Sequence, residues 1–121
     1  MAPAFIALDW GTTSFRAYIA EADGKVIATI SAPEGILSVS DGDFESALER
    51  HIGTWDRSLP VMAAGMITSR QGWIERPYIP CPASAADLAS ALHHHTTASG
   101  RRIAFSTGLS YRSPDGIPDV M

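Results

Sequence analysis

The sequence predicts an α/β fold: a mixed five-stranded sheet in the order β-β-β-α-β-α-β, with helices packed on it. Three observations lead there. The first 31 residues hold three strand-like runs separated by polar turns. A helix-spaced apolar stripe then begins at Phe44, and two further apolar runs, Leu59 to Ala64 and Arg102 to Ser106, flank a second helix start. The chain of 121 residues is of a size to form one domain that needs no disulfide or metal to fold.

Phe5 to Asp9 is a short apolar run ending in an acid, as in a buried central strand. Phe15, Ala17 and Ile19 alternate with Arg16, Tyr18 and Ala20, the period of a second strand. Asp23-Gly24 is a tight-turn signal, and Lys25 to Ser31 returns as the third strand until Pro33. Phe44, Ala47, Leu48 and Ile52 share one helical face, which Trp55 extends if Gly53 does not end the helix. Leu59 to Ala64 is wholly apolar, the type expected in a sheet covered on both faces.

Gly65 to Pro82 has no sustained period and carries three prolines and two glycines, which predicts a long ordered excursion. Ser84-Ala85-Ala86-Asp87 resembles a capping box and opens a second helix through Leu88 and Leu92. Gly100 ends that region before the fifth strand. Ser113-Pro114-Asp115-Gly116 with Pro118 reads as another turn-rich stretch.

Composition excludes several classes. A net charge of -4 with nine scattered Lys and Arg argues against nucleic acid, which needs a concentrated basic surface. No apolar run reaches the roughly 20 residues that span a bilayer, and Met1-Ala2-Pro3-Ala4 lacks the basic and apolar segments of a signal peptide. The expected location is the cytoplasm. Cys81, the one cysteine, lies between two prolines and reads as a small residue in a rigid loop rather than a nucleophile.

Chemistry concentrates at Asp9-Trp10-Gly11-Thr12-Thr13-Ser14, between two strands. Turn amides and hydroxyls can cradle phosphate oxygens, Gly11 lets the backbone approach them, and Asp9 can hold Mg2+ through its waters. Phosphoryl transfer depends on such positioning and charge neutralisation. A plain polar turn with a strand-end acid has the same composition, and six residues do not separate the two. Neither a Gly-x-x-x-x-Gly-Lys-Ser/Thr segment nor a Gly-x-Gly-x-x-Gly turn occurs, so P-loop and dinucleotide sites are not supported.

In this context Asp9 to Thr13 resembles the first phosphate hairpin of the sugar kinase, heat-shock protein 70 and actin superfamily, whose domains have a ribonuclease-H-like core. Leu8-Asp9-Trp10-Gly11-Thr12-Thr13, Ala64-Gly65-Met66-Ile67-Thr68-Ser69, Gly72-Trp73 and Pro77-Tyr78-Ile79-Pro80 look like the 2-keto-3-deoxygalactonate kinase family. The resemblance implies that residues 1–121 are the amino-terminal, ribonuclease-H-like domain of a two-domain kinase, with the adenosine-binding domain outside this chain. It implies an Arg-Gly-Glu-Glu-Thr segment and a catalytic base past Met121. By the same resemblance ATP and Mg2+ are the cofactors, Asp9 serves the metal and phosphates, and Gly11, Thr12 and Thr13 with Ser14 form the phosphate loop.

A sugar acid needs a cation or amides for its carboxylate, polar side chains for its hydroxyls, and a flat apolar wall. Arg16, Ser69, Arg70, Trp73, Arg76 and Tyr78 supply those types, five of them in the excursion. Buried loop anchoring also explains Trp73 and Tyr78, and surface charge also explains Arg70 and Arg76. Glu34-Gly35 follows the third strand and is a further substrate candidate, or simply a turn. His93-His94-His95 reads as a polar helix end, because successive helical residues point about 100° apart and cannot converge on one ion.

The expected function is ATP-dependent phosphorylation of 2-keto-3-deoxygalactonate to its 6-phosphate, with sugar acid and ATP as small-molecule partners and room for a homodimer. Two alternatives stand beside it. One is a non-catalytic module that binds sugar acid or a partner, and the other is a different kinase of the same superfamily.

Overall fold

The computed structural model describes residues 2–81, 84–112 and 118–120; the turn expected at Ser113 to Gly116 lies outside them. Strands β1 (Phe5–Trp10), β2 (Phe15–Ala20) and β3 (Val26–Ala32) form the expected antiparallel opening. Helix α1 (Phe44–Ile52) leads to β4 (Val61–Ala64), and after a long excursion the short helix α2 (Ala85–Ser90) precedes β6 (His93–Thr96) and β7 (Arg102–Phe105). The main sheet has the order β3-β2-β1-β4-β7-β6. Strands β1, β4 and β7 run parallel, with antiparallel flanks.

This corrects the strand count from five to six in the main sheet. The extra strand is the histidine cluster. His93 and His95 turn inward while His94 and Thr96 face out, so the cluster alternates as a strand and does not end a helix. Its hairpin with β7 closes on Thr97, whose N–H donates to the Arg101 carbonyl at 2.9 Å. Helix α2 stops at Ser90, and Leu92 lies beyond it. The Ser84–Asp87 capping box forms, but among its described residues none is buried, so packing gives the helix little reason to continue. A second, three-stranded sheet joins β5 (Ile79–Pro80), β8 (Leu109–Arg112) and β9 (Pro118–Val120).

One face of the main sheet makes the core. Ile6, Leu8, Trp10, Phe15, Ala17, Val61, Ala63, Ile103 and Phe105 alternate inward and meet Phe44, Ala47, Leu48 and Ile52 of α1. The i, i+3, i+4, i+8 spacing aligns those four on one stripe, and Asp43 starts the helix by accepting from the Ser46 amide at 3.2 Å. The opposite sheet face differs from expectation. Met62 and Ala64 are exposed, so β4 is covered on one side only among the described residues.

Arg101 locks the helix to the sheet. It is fully buried; its Nε donates to Glu49 Oε1 at 2.7 Å, and Nη2 donates to the carbonyls of Ile52 and Trp55 at 2.8 and 3.0 Å. A buried guanidinium thus satisfies carbonyls that the end of α1 leaves open. Burial pushes the Glu49 carboxyl up, but hydrogen bonds from Arg101 and Ser99, with the charges of Arg101 and Arg57, outweigh it and leave the group below its ordinary value.

Candidate functional site

The three parallel strands end on the same edge of the sheet, and a cleft of about 380 Å3 opens there. Asp9 and Gly11 enter from the end of β1, Ala64 and Gly65 from β4, and Ser106, Thr107 and Gly108 from β7. Crevices at the carboxyl ends of parallel strands are the usual ligand sites of α/β sheets. Alternation explains why Asp9 serves the cleft: Leu8 and Trp10 point into the core, so Asp9 emerges on the opposite face. It pairs in register with Arg16 on one side and Ala64 on the other. Arg16 Nη1 lies 3.9 Å from Asp9 Oδ2, with both side chains more than half exposed, a weakly interacting pair that a ligand can displace.

The hairpin between β1 and β2 is built to leave donors free. Gly11 N–H donates to the Ser14 carbonyl at 2.9 Å and closes the turn. The carbonyls of Gly11 and Thr12 accept from the amides of Ile36 and Leu37 at 2.9 and 3.2 Å. Among the described residues, the amides and hydroxyls of Thr12, Thr13 and Ser14 have no partner. A turn whose carbonyls are engaged and whose donors are open suits an anion.

The excursion after β4 folds back on itself. Gly65 has φ 101° and begins a short 3-10 turn, Met66–Thr68. Thr68 Oγ1 donates to the Gly65 carbonyl at 3.2 Å, and Ser69 Oγ to the Met66 carbonyl at 2.6 Å. The Trp73 and Arg76 amides return to the carbonyls of Ile67 and Thr68, at 2.8 and 2.9 Å. Thr107 Oγ1 then ties Pro77 to the end of β7 at 2.6 Å. These bonds hold Ser69 and Tyr78 in the cleft wall.

The structure therefore brings Asp9, Gly11, Ser69 and Tyr78 to one cavity, with Arg16 beside Asp9. Arg70 lines a second, adjoining hollow that shares Ser69 and Tyr78 with the first. Trp73 points elsewhere: it stacks on Phe44 and meets Trp10 and Phe105 edge-on, as a core anchor. Glu34 lies 3.8 Å from Arg50 and from His51, on the α1 side. Gly35 underlies the hairpin itself, and a Cβ there would lie 2.3 Å from the Thr12 carbonyl oxygen.

Gly65, Met66, Thr68, Ser106, Thr107 and Gly108 line the cleft without having been singled out individually from the sequence. The available signal was the step from an apolar strand into glycine and hydroxyl residues at Ala64-Gly65 and at Phe105-Ser106-Thr107-Gly108. Among the described residues no cluster of three metal-ligating side chains occurs. No helix among them is long and apolar enough to cross a membrane.

The model of the 2-keto-3-deoxy-galactonokinase family matches residues 9–121. The chain belongs to that family. A protein of Rhizobium meliloti (strain 1021), described as a probable 2-dehydro-3-deoxygalactonokinase, DgoK1, is 38% identical over 87 residues, covering 70% of this chain and 28% of the relative. The 2-dehydro-3-deoxygalactonokinase of Escherichia coli (strain K12) is 28% identical over 116 residues, which is 95% of this chain and 38% of that protein. A solved structure from Sinorhizobium meliloti with the same kinase designation superposes with a TM-score of 0.81 at 35% identity, over 97% of this chain and 39% of that one. The chain thus corresponds to an amino-terminal portion of these family members, and spans between 28% and 39% of their length.

Proposed function

We propose that this chain is the amino-terminal, ribonuclease-H-like domain of a two-domain kinase that phosphorylates 2-keto-3-deoxygalactonate at its terminal hydroxyl with ATP. The carrying observation is that Asp9 and Gly11, at the foot of the donor-rich hairpin, line one cleft with the hydroxyl-bearing wall of the excursion. Open amides and hydroxyls at Thr12, Thr13 and Ser14 suit phosphate oxygens. Asp9, exposed at the cleft and held in register by its strand, suits a hydrated Mg2+, which binds through one or two carboxylates and the substrate phosphates. The ion, when bound, neutralises charge on the phosphates.

In the transfer, the sugar hydroxyl forms a bond to the γ-phosphorus as the bond to the β,γ-bridging oxygen breaks, and ADP leaves. The hydroxyl proton passes to a base outside the described residues. The hairpin fixes the phosphates, Ser69 and Tyr78 orient the sugar, and closure of a second domain excludes water. A full-length kinase assayed with ATP across a panel of keto-deoxy sugar acids tests the reading: turnover of 2-keto-3-deoxygalactonate is expected, and turnover of none overturns it.

A further inference from the structure

Next to the cleft, Thr68, Ser69, Arg70, Glu75, Arg76 and Tyr78 enclose a hollow of about 300 Å3, continuous with the cleft through Thr68, Ser69 and Tyr78. Two guanidinium groups and one carboxylate line it, a net positive wall in a chain of net charge -4. Among the described residues neither Arg70 nor Arg76 is paired with a carboxylate, whereas Arg16, Arg50, Arg57 and Arg101 all are. Arg76 is the unusual member. Its Nε is buried and has no hydrogen-bond partner, although its amide is anchored to the Thr68 carbonyl at 2.9 Å. Burying a guanidinium N–H without an acceptor is costly, and an acceptor brought within its reach offsets that cost.

We propose that Arg70 and Arg76 form the carboxylate subsite for the sugar acid, so that the substrate lies with its carboxylate in this hollow and its terminal hydroxyl toward Asp9. This rests on the sugar-acid kinase reading and adds a direction to it. Asp9 and Gly11 line only the cleft and the two arginines only the hollow, while Thr68, Ser69 and Tyr78 line both. Ser69 and Tyr78 thus lie where they can contact the middle of an extended, hydroxylated chain. Glu75, in the same wall, limits the subsite to a single negative charge and can accept from a substrate hydroxyl.

The complete kinase, assayed on 2-keto-3-deoxygalactonate and on its uncharged methyl ester, tests the subsite. The wild-type enzyme is expected to favour the acid, and Arg76→Gln to lower kcat/KM for the acid roughly 10- to 100-fold. The ester rate and the KM for ATP are expected to stay unchanged, and Arg76→Lys to restore part of the loss. Arg70 is exposed, so Arg70→Gln leaves the fold intact and must by itself shrink the acid-to-ester ratio. A ratio unaltered by either Gln variant, or a loss shared equally by acid and ester, overturns the subsite. A wild-type enzyme active on the acid and equally active on the ester overturns the subsite alone, whereas one active on neither overturns the kinase reading with it.

Discussion

The α-carbon of Gly35 packs against the backbone of Thr12 so closely that a methyl group there would lie 2.3 Å from the Thr12 carbonyl oxygen. The next two amides, of Ile36 and Leu37, donate to the Gly11 and Thr12 carbonyls. The segment after β3 is therefore the back wall of the hairpin between β1 and β2. Its hydrogen bonds occupy the Gly11 and Thr12 carbonyls and leave the donors of the hairpin open.

Gly35→Ala should displace the hairpin. Overpacking against backbone atoms costs about 1–3 kcal/mol, and the expected outcome in the complete kinase is a lower unfolding midpoint together with a raised KM for ATP. A variant with unaltered stability and ATP kinetics would remove the back-wall role.

Asp9→Asn should separate fold from chemistry. Asp9 is exposed and its strand is fixed by Leu8 and Trp10, so the unfolding midpoint should not move. Loss of the charge at the phosphates should lower kcat by roughly 100-fold or more. The paired measurements are steady-state kinetics and thermal unfolding.

Gly65→Ala tests the junction of β4 with the cleft. The position has φ 101°, and an added Cβ would lie 2.8 Å from the Trp10 carbonyl oxygen and 3.2 Å from Asp9 Oδ1. Both backbone strain, about 1 kcal/mol or more, and displacement of Asp9 are expected. Unlike Asp9→Asn, this variant should lose stability and activity together.

Arg101→Met should be the most destabilising of these changes. It leaves the Glu49 carboxylate with only Arg57 and Ser99 as partners and opens the carbonyls of Ile52 and Trp55, a loss of about 3 kcal/mol in urea unfolding. The cleft lies at the other end of β7, so residual folded protein should keep its KM for ATP.

Acid should weaken the same lock. Glu49 is depressed in the folded state, so its contribution is fully present above the ordinary glutamate value of 4.5 and is lost as pH falls through the lower folded value. Stability measured between pH 6 and pH 3 should fall less steeply in Glu49→Gln than in the wild type.

Much of this was legible from local pattern. The alternation of Phe15, Ala17 and Ile19, the Asp23-Gly24 turn and the Phe44 to Ile52 stripe each repeat with the period of the element they form, and all appear where expected. The histidine cluster misled because three like residues carry no hydrophobic contrast. Its strand exists because β7 offers an open edge and Trp73 and Phe105 receive His95 and His93. Helix α2 began at its cap as read, but its length depended on packing that the sequence does not display.

The sequence by itself determined the hairpin, from Asp9 to Ser14, and the family to which its motifs belong, because those features are set by neighbouring residues. Only the tertiary structure decided where Gly35, Trp73 and Arg76 lie. Gly35 meets Thr12 and Trp73 meets Phe44 and Phe105 across the fold, while the turn-back of the excursion sets Arg76 in a hollow with Ser69 and Tyr78. Residue type announces a glycine, an aromatic or a cation, but the parallel pairing of β1, β4 and β7 decides which of them meet at the cleft.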